Sequence, residues 1–261
     1  MKINLVFNRN IPDYEKSLSK VENTLVKKSV DFKSFNLDNM DFYGDFTIVI
    51  GGDGTILRAA RFYSEKSLPT FGVNIGRLGF LAQVKSDDFD EVLDAILSGK
   101  YETEERIMLE SGRYLALNDF VVRGCNTTRA SKFYLEINGE DVCDYIADGL
   151  IVSTPTGSTA YGLSAGGPVL YPTTDSILIV PICPHTLNAR PLVIPTTEKI
   201  AVKTADSSLS VAIDGYQKIE CIERIDIKKS ERKAVLAFLN DSNYYPILRD
   251  KLHWGLPAGE G

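Results

Sequence analysis

The sequence is poor in the residues that build the common metal and nucleophile centres. It has only two histidines, His185 and His253, which argues against a histidine-rich metal site and against a Ser-His-Asp triad. Its four cysteines, Cys125, Cys143, Cys183 and Cys221, are widely spaced with no C-x-x-C pair. They read as small buried residues in a reducing cytosol. No apolar run reaches membrane-spanning length, and the one in the opening MKINLVFNR is too short for a signal peptide. No G-x-x-x-x-G-K-[ST] loop occurs, and no G-x-G-x-x-G opens a strand–helix unit, so a dehydrogenase reading fails. Basic charge is not in excess either. A formal net charge of −6 and a pI of about 5.1 argue against a general nucleic-acid binder, though not against a local basic pocket.

What is present is a soluble globular composition, 44% hydrophobic and 25% charged, over 261 residues, enough for two modest domains. The stretch Phe46 to Tyr63 stands out. A buried-strand run, Thr47 to Ile50, leads through Gly51-Gly52-Asp53-Gly54 into Thr55 to Ala60, which reads as helix. Glycines between strand and helix let a ligand approach the backbone and leave amides at the helix start, where phosphate binds well. Asp53 is an acid inside that anion-receptive turn, so it needs a proton to accept or a metal to hold. The plain alternative is a tight turn with an N-cap residue.

The first hundred residues alternate strands and helices. Lys2 to Phe7, Val30 to Phe35, Phe46 to Ile50 and Pro69 to Asn74 read as strands. Asp13 opens a helix with an apolar stripe of Tyr14, Leu18, Val21 and Leu25. Gly76 to Leu81 reads as a second loop at the same sheet edge. Ser86 is expected to cap a helix with Asp87 and Asp88 in its first turn. Its buried face is Phe89, Val92, Leu93, Ile96 and Leu97, and Gly99 stops it. This pattern predicts a parallel, Rossmann-like α/β domain over 1–100, with ligands at the carboxyl ends of the strands.

From Tyr101 the period falls to two, predicting a mostly antiparallel β domain over 101–230 and a tail, 231–261, packed back on the first domain. Strands are expected at Ile107 to Leu109, Tyr114 to Leu117, Phe133 to Ile137, Asp141 to Ile146, Leu150 to Ser153, Ile177 to Val180, Ile200 to Lys203, Leu209 to Ile213 and Ile219 to Ile227. Val235 to Leu239 reads as a last strand and Tyr245 to Leu252 as a terminal helix. Asn138-Gly139 is a hairpin signal. Two stretches break the pattern: Ala116-Leu117-Asn118-Asp119, and the hydroxyl- and glycine-rich run from Ala147 to Pro168. Clustered hydroxyls and free amides suit the ribose, phosphate and amide groups of a polar ligand.

GGDGT (Gly51 to Thr55), LND (Leu117 to Asp119), ADGLIVSTPTGSTAYGLSAGGP (Ala147 to Pro168) and the closing RDKL (Arg249 to Leu252) together resemble the NAD kinase family over essentially the whole chain. GGDG alone is shared with diacylglycerol, sphingosine and 6-phosphofructokinase-like enzymes; TPTGSTAY is the specific signal. The resemblance implies transfer of the γ-phosphoryl group of ATP, or of polyphosphate, to the adenosine-ribose 2′-hydroxyl of NAD. Asp53 is then the general base, with Gly51, Gly52, Gly54 and Thr55 forming the phosphate loop. Gly54 and Arg58 lie against the ligand, Asn118 and Asp119 hold the adenine and ribose, Arg129 approaches a phosphate, and Asp148 the nicotinamide end. Thr159, Ala160, Tyr161, Gly162, Leu163 and Ser164 line the rest of the pocket. The family often has Glu at position 119 and Ser at 162; Asp119 keeps the carboxylate, while Gly162 offers only backbone. Mg²⁺ or another divalent metal is expected to arrive with the donor phosphates, since no His/Cys cluster or carboxylate-dense loop offers a protein-only cage. The resemblance and the many strand edges of the second half imply a homodimer or homotetramer, while composition and charge give a cytoplasmic setting with neither nucleic acid nor membrane as partner. The rivals are a lipid or sugar kinase on the same scaffold and a non-catalytic dinucleotide sensor.

Overall fold

The structure, a computed structural model, describes residues 1–75, 79–125, 129–185, 188–205, 208–239 and 244–252. Its strands and helices, in chain order, are β1 (Lys2–Phe7), α1 (Tyr14–Lys27), β2 (Asp31–Asn36), β3 (Phe46–Ile50), α2 (Asp53–Tyr63), β4 (Thr70–Asn74), β5 (Ala82–Lys85), α3 (Phe89–Leu97), β6 (Tyr101–Ser111), β7 (Tyr114–Ala116), β8 (Asp119–Gly124), β9 (Ser131–Ile137), β10 (Glu140–Ala147), β11 (Gly149–Ser153), α4 (Tyr161–Ser164), β12 (Ser176–Ile182), β13 (Leu192–Pro195), β14 (Ile200–Thr204), β15 (Leu209–Ile213), β16 (Gln217–Ile222), β17 (Arg224–Leu239) and α5 (Tyr244–Leu252). They divide into two compact units, Met1–Glu105 with the chain from Ala234 onward, and Arg106–Lys233.

In the first unit β2, β1, β3 and β4 lie side by side, all parallel. The chain leaves β1 to one side for β2 and returns to its other side for β3. Such a switch point opens a crevice at the carboxyl ends of the two central strands, and the Gly51–Gly54 loop lies there. β3 is buried at all five residues, as its unbroken apolar run requires in a sheet covered on both faces. Val21 and Leu25 of α1 join Phe89, Val92, Leu93 and Ile96 of α3 in the core that includes Ile3, Ile48 and Phe71 of the sheet.

Three details of the N-terminal reading are corrected. Ser86, Asp87 and Asp88 form a separate 3-10 turn, so α3 starts at Phe89 with Asp88 at its N-cap and no side-chain cap. The Ser86 hydroxyl donates to Ser17 Oγ instead, at 3.4 Å. Leu97 is 40% exposed, because it sits in the last turn of α3, beyond the buried stripe. Gly99 does end the helix, at φ +72°, with the Lys100 N–H donating to the Ala95 carbonyl at 2.8 Å. Of the Gly76 to Leu81 loop, residues 76–78 lie outside the described residues.

The second unit is built from antiparallel sheets. One has the order β13-β12-β11-β8-β15-β16; in the other, β10, β9, β14 and the first part of β17 adjoin. Phe120, Val122, Leu150 and Val152 of the first share a core with Phe133, Leu135, Val202 and Ile225 of the second. The opposite face of the first sheet, Val121, Ile151, Leu178 and Val180, is covered by Tyr161, Ala165 and Leu170 of the hydroxyl-rich run. Asn138 and Gly139 both take positive φ, 53° and 85°, the paired geometry of a two-residue hairpin. The expected strand Ile219 to Ile227 is two strands broken at Glu223, and Val235 to Leu239 is the end of β17. Alternation continues through the break, so pattern alone does not show it; Cys221 at φ 58° and a register shift in β15–β16 do. The cysteines are not buried either: Cys125, Cys183 and Cys221 are exposed and Cys143 half-buried, all as free thiols.

Candidate active site

Gly51 brings the chain off β3 with its N–H donating to the Val73 carbonyl at 2.9 Å. A side chain there would meet Thr55 at 2.7 Å, so only glycine lets the loop close against the helix. Gly52 is the N-cap, and its carbonyl accepts from the Thr55 and Ile56 N–H groups at 2.9 and 3.1 Å. A Cβ on Gly52 or Gly54 would meet nothing within 4 Å, so that side of the loop faces open space.

Asp53 is the first residue of α2, and its carboxylate does not cap the helix. Oδ2 accepts from the Phe80 N–H at 2.7 Å, and Oδ1 accepts from the Leu81 and Ala82 N–H groups at 3.1 and 3.3 Å. Gly79 makes room, since a Cβ there would lie 1.9 Å from Asp53 Oδ1. The acid is thus held in a nest of three main-chain donors, at the positive end of a helix. Arg58, one turn on, donates from Nη2 to Asp38 Oδ1 at 3.0 Å.

In the second unit, a cavity of about 350 Å3 is lined by Asn118, Asp119, Arg123, Tyr161, Asp214 and Gly215, among others. Arg123 Nη2 donates to the Tyr161 hydroxyl at 2.9 Å and lies over its ring, fixing one wall. Asp119 is 3% exposed, on a β8 flanked by β11 and β15. Burial, and then the neighbouring Asp214 carboxylate, push its pKa up to about 7. The sign is that of a raised acid: the folded state favours the protonated form, and stability falls as pH rises through about 7. A neutral Asp119 can donate a hydrogen bond as well as accept one.

The strap after β11 packs directly on this pocket. Thr154 donates from Oγ1 to the Leu117 carbonyl at 2.5 Å and from its N–H to the Asn118 carbonyl at 2.8 Å. Gly157 passes so close that a Cβ would sit 2.3 Å from the Asn118 carbonyl oxygen. Ser158, fully buried, accepts from the Leu170 N–H at 3.0 Å and donates to the Pro155 carbonyl at 2.7 Å. Much of the hydroxyl density therefore folds the strap.

Gly51, Gly52, Asp53, Gly54, Thr55 and Arg58 belong to the first unit and the other predicted residues to the second. Asn118, Asp119, Ala160 and Tyr161 meet at the cavity. Thr159 closes the 3-10 turn before it, while Gly162 is buried inside α4 and Ser164 is exposed. Asp148 is exposed between β10 and β11, and Arg129 is exposed just before β9. Sequence reasoning passed over Arg123, Asp214 and Gly215. Asp214-Gly215 carried a signal, the same Asp/Asn-Gly hairpin chemistry that marked Asn138-Gly139. A larger cavity of about 560 Å3 in the same unit holds none of the predicted residues. In its wall Lys228 pairs with Glu110 and Arg224 with Asp226.

A glycine loop with an embedded acid at a sheet switch point, joined in one chain to a β unit with a polar pocket, defines a phosphotransferase of small-molecule hydroxyls. Residues 8–101 match the ATP-NAD kinase N-terminal domain and residues 117–239 the ATP-NAD kinase C-terminal domain. The chain is 42% identical to an NAD kinase of Magnetococcus marinus, over 82% of this chain and 75% of that one. It is 38% identical to one of a Thermoanaerobacter species, over 88% and 87%. The crystal structure of an Archaeoglobus fulgidus NAD kinase in complex with ATP superposes with a TM-score of 0.81 at 28% identity, covering 97% of this chain and 99% of that one. The chain belongs to the NAD kinase family.

Proposed function

We propose that this NAD kinase transfers the γ-phosphoryl group of ATP to the 2′-hydroxyl of the adenosine ribose of NAD, forming NADP. Asp53 is the observation that carries the reading, an acid inside a glycine loop otherwise shaped for anions. A ribose hydroxyl is a weak nucleophile at neutral pH, and a carboxylate within hydrogen-bond reach accepts its proton as attack proceeds. The loop amides and the α2 N-terminus offer charge stabilisation to the moving phosphoryl group. Asn118 and Asp119 hold the adenine and ribose. Gly54 and Arg58 lie against the ligand, Arg129 approaches a phosphate, Asp148 the nicotinamide end, and Thr159 to Ser164 line the remaining wall. ATP is favoured over polyphosphate as donor because the A. fulgidus relative was crystallised with ATP. Purified protein supplied with NAD, Mg²⁺ and either ATP or polyphosphate tests this by NADP formation. Phosphorylation of a lipid or sugar, with NAD ignored, contradicts it.

A divalent metal fits this chemistry as a companion of the donor. Among the described residues no three His, Cys, Asp or Glu side chains are placed to hold a metal ion, so phosphate oxygens and water would complete its shell. When bound, the metal would neutralise phosphate charge. Excess chelator is therefore expected to abolish turnover while leaving the melting temperature unchanged; full activity in chelator contradicts it.

The chain is also proposed to act as a homo-oligomer, since among the described residues β16 is an end strand of its sheet, an edge a second copy could cover. Light scattering at micromolar concentrations should give a multiple of 28.9 kDa, and a strictly monomeric mass rejects it. Among the described residues no helix is long and apolar enough to cross a membrane.

A further inference from the structure

We infer that Asp214 is a positioning residue for the dinucleotide, holding the Leu117–Asp119 backbone so that only the Asn118 and Asp119 side chains are left to read it. This deepens the NAD kinase reading and rests on it. Asp214 Oδ2 accepts from the Leu117 N–H at 3.1 Å, and Oδ1 accepts from the Asn118 and Asp119 N–H groups at 2.7 and 3.2 Å. Its own N–H donates to the Asp119 carbonyl at 3.0 Å. From the strap, Thr154 and Ser153 occupy the Leu117 and Asn118 carbonyls. Every main-chain donor and acceptor of the three residues is therefore used inside the protein, and a buried segment whose backbone is fully paired has one low-energy path.

The turn chemistry explains why this residue can do it. Asp214 and Gly215 take φ of 50° and 63° between β15 and β16, a geometry for which Asp-Gly and Asn-Gly are the preferred pairs. The turn aims the Asp214 carboxylate back at the start of β8, whose strand pairs with β15. The same geometry makes Asp214 an electrostatic neighbour of Asp119. The other charged or titratable groups lining the cavity are Arg123, on Asp119's own strand, and Tyr161 of α4. A merely structural clamp would not alter how Asp119 ionises, whereas a nearby carboxylate does.

Asp214→Asn is the test, because Asn-Gly keeps the turn and one acceptor oxygen but removes the charge. The expected results are NAD affinity about tenfold weaker by calorimetry, as loss of one charge-assisted bond implies, and a shift of the pH dependence of affinity to lower pH. In an Asp119→Asn background the pH shift should vanish. Affinity within twofold of wild type and an unshifted pH profile in Asp214→Asn would overturn the inference. Should that variant fail to fold, hydrogen exchange on the wild-type protein decides: the Leu117, Asn118 and Asp119 amides are expected to be protected without NAD, and free exchange at all three overturns the positioning role. Failure of the NAD kinase reading would show separately, as wild-type protein forming no NADP at any pH.

Discussion

Asp53→Asn is expected to lower the rate of NADP formation by about 10²- to 10⁴-fold, the usual worth of a general base, while NAD affinity changes far less. The variant is not structurally silent. Both carboxylate oxygens accept main-chain N–H bonds from Phe80, Leu81 and Ala82, and an amide group offers one oxygen and one NH2. At least one N–H of residues 80–82 must lose its partner, at a cost of about 1–3 kcal/mol where the group stays buried. Gly79→Ala separates the two roles. Its Cβ would come within 1.9 Å of Oδ1, so it displaces the carboxylate without removing the charge. A base that must stand at one place predicts that both variants lose turnover with NAD binding retained. If Asp53 only anchors residues 80–82, Asp53→Asn should leave turnover within about tenfold of wild type, too small a loss for a general base. Helix capping is no longer the rival, since Gly52 holds the N-cap and Asp53 makes no cap bond.

Gly157→Ala is the second large effect, and it acts on the fold of the pocket. The added Cβ would lie 2.3 Å from the Asn118 carbonyl oxygen and 2.5 Å from Ser153 Oγ. The first of these is backbone, fixed by the Thr154 bonds, and cannot rotate aside. Overpacking of this kind costs about 3 kcal/mol at the upper end of its range, which is roughly 6–12 °C of melting temperature in a chain of this size. Gly162→Ala, five residues along, is the control. Its Cβ meets the Gly157 carbonyl oxygen and Leu178 only at 3.6 and 3.7 Å, ordinary contact, and it lies in a short helix where alanine is preferred. Differential scanning calorimetry should find Gly157→Ala strongly destabilised and Gly162→Ala unchanged or stabilised. Equal melting temperatures for the two would mean that the strap does not pack as described.

Local chemistry was legible in the sequence where one period or one turn decides the outcome. β1, α1, β3 and β15 follow from runs of period two or 3.6 and from their breakers, and Asn138-Gly139 from the positive φ that a two-residue hairpin demands. The family motifs located the glycine loop and the Asn118-Asp119 pair. What sequence could not supply was partnership over distance. The amides that hold Asp53 come from 27 to 29 residues away, and those that Asp214 holds from 95 to 97 away. Neither contact leaves a periodic trace. Asp214 was missed even though its Asp-Gly pair was visible, because a turn signal fixes local backbone geometry but not which distant amides the carboxylate meets. The break at Glu223 stayed hidden because the alternation of the sequence resumes at Ile225 and Ile227, although the chain there leaves one sheet for the other. The cysteines misled through an average: free thiols are usually buried, but Cys125, Cys183 and Cys221 stand exposed at or near strand ends, and Cys143 within β10 is only half-buried.

The most direct measurement is the position of the transferred phosphoryl group. Phosphorus NMR of the product formed from NAD and ATP is expected to show one new phosphomonoester, on the 2′-carbon of the adenosine ribose, with ADP released in equal amount. No phosphomonoester on NAD, or one at the 3′-hydroxyl or on the nicotinamide ribose, would contradict the account.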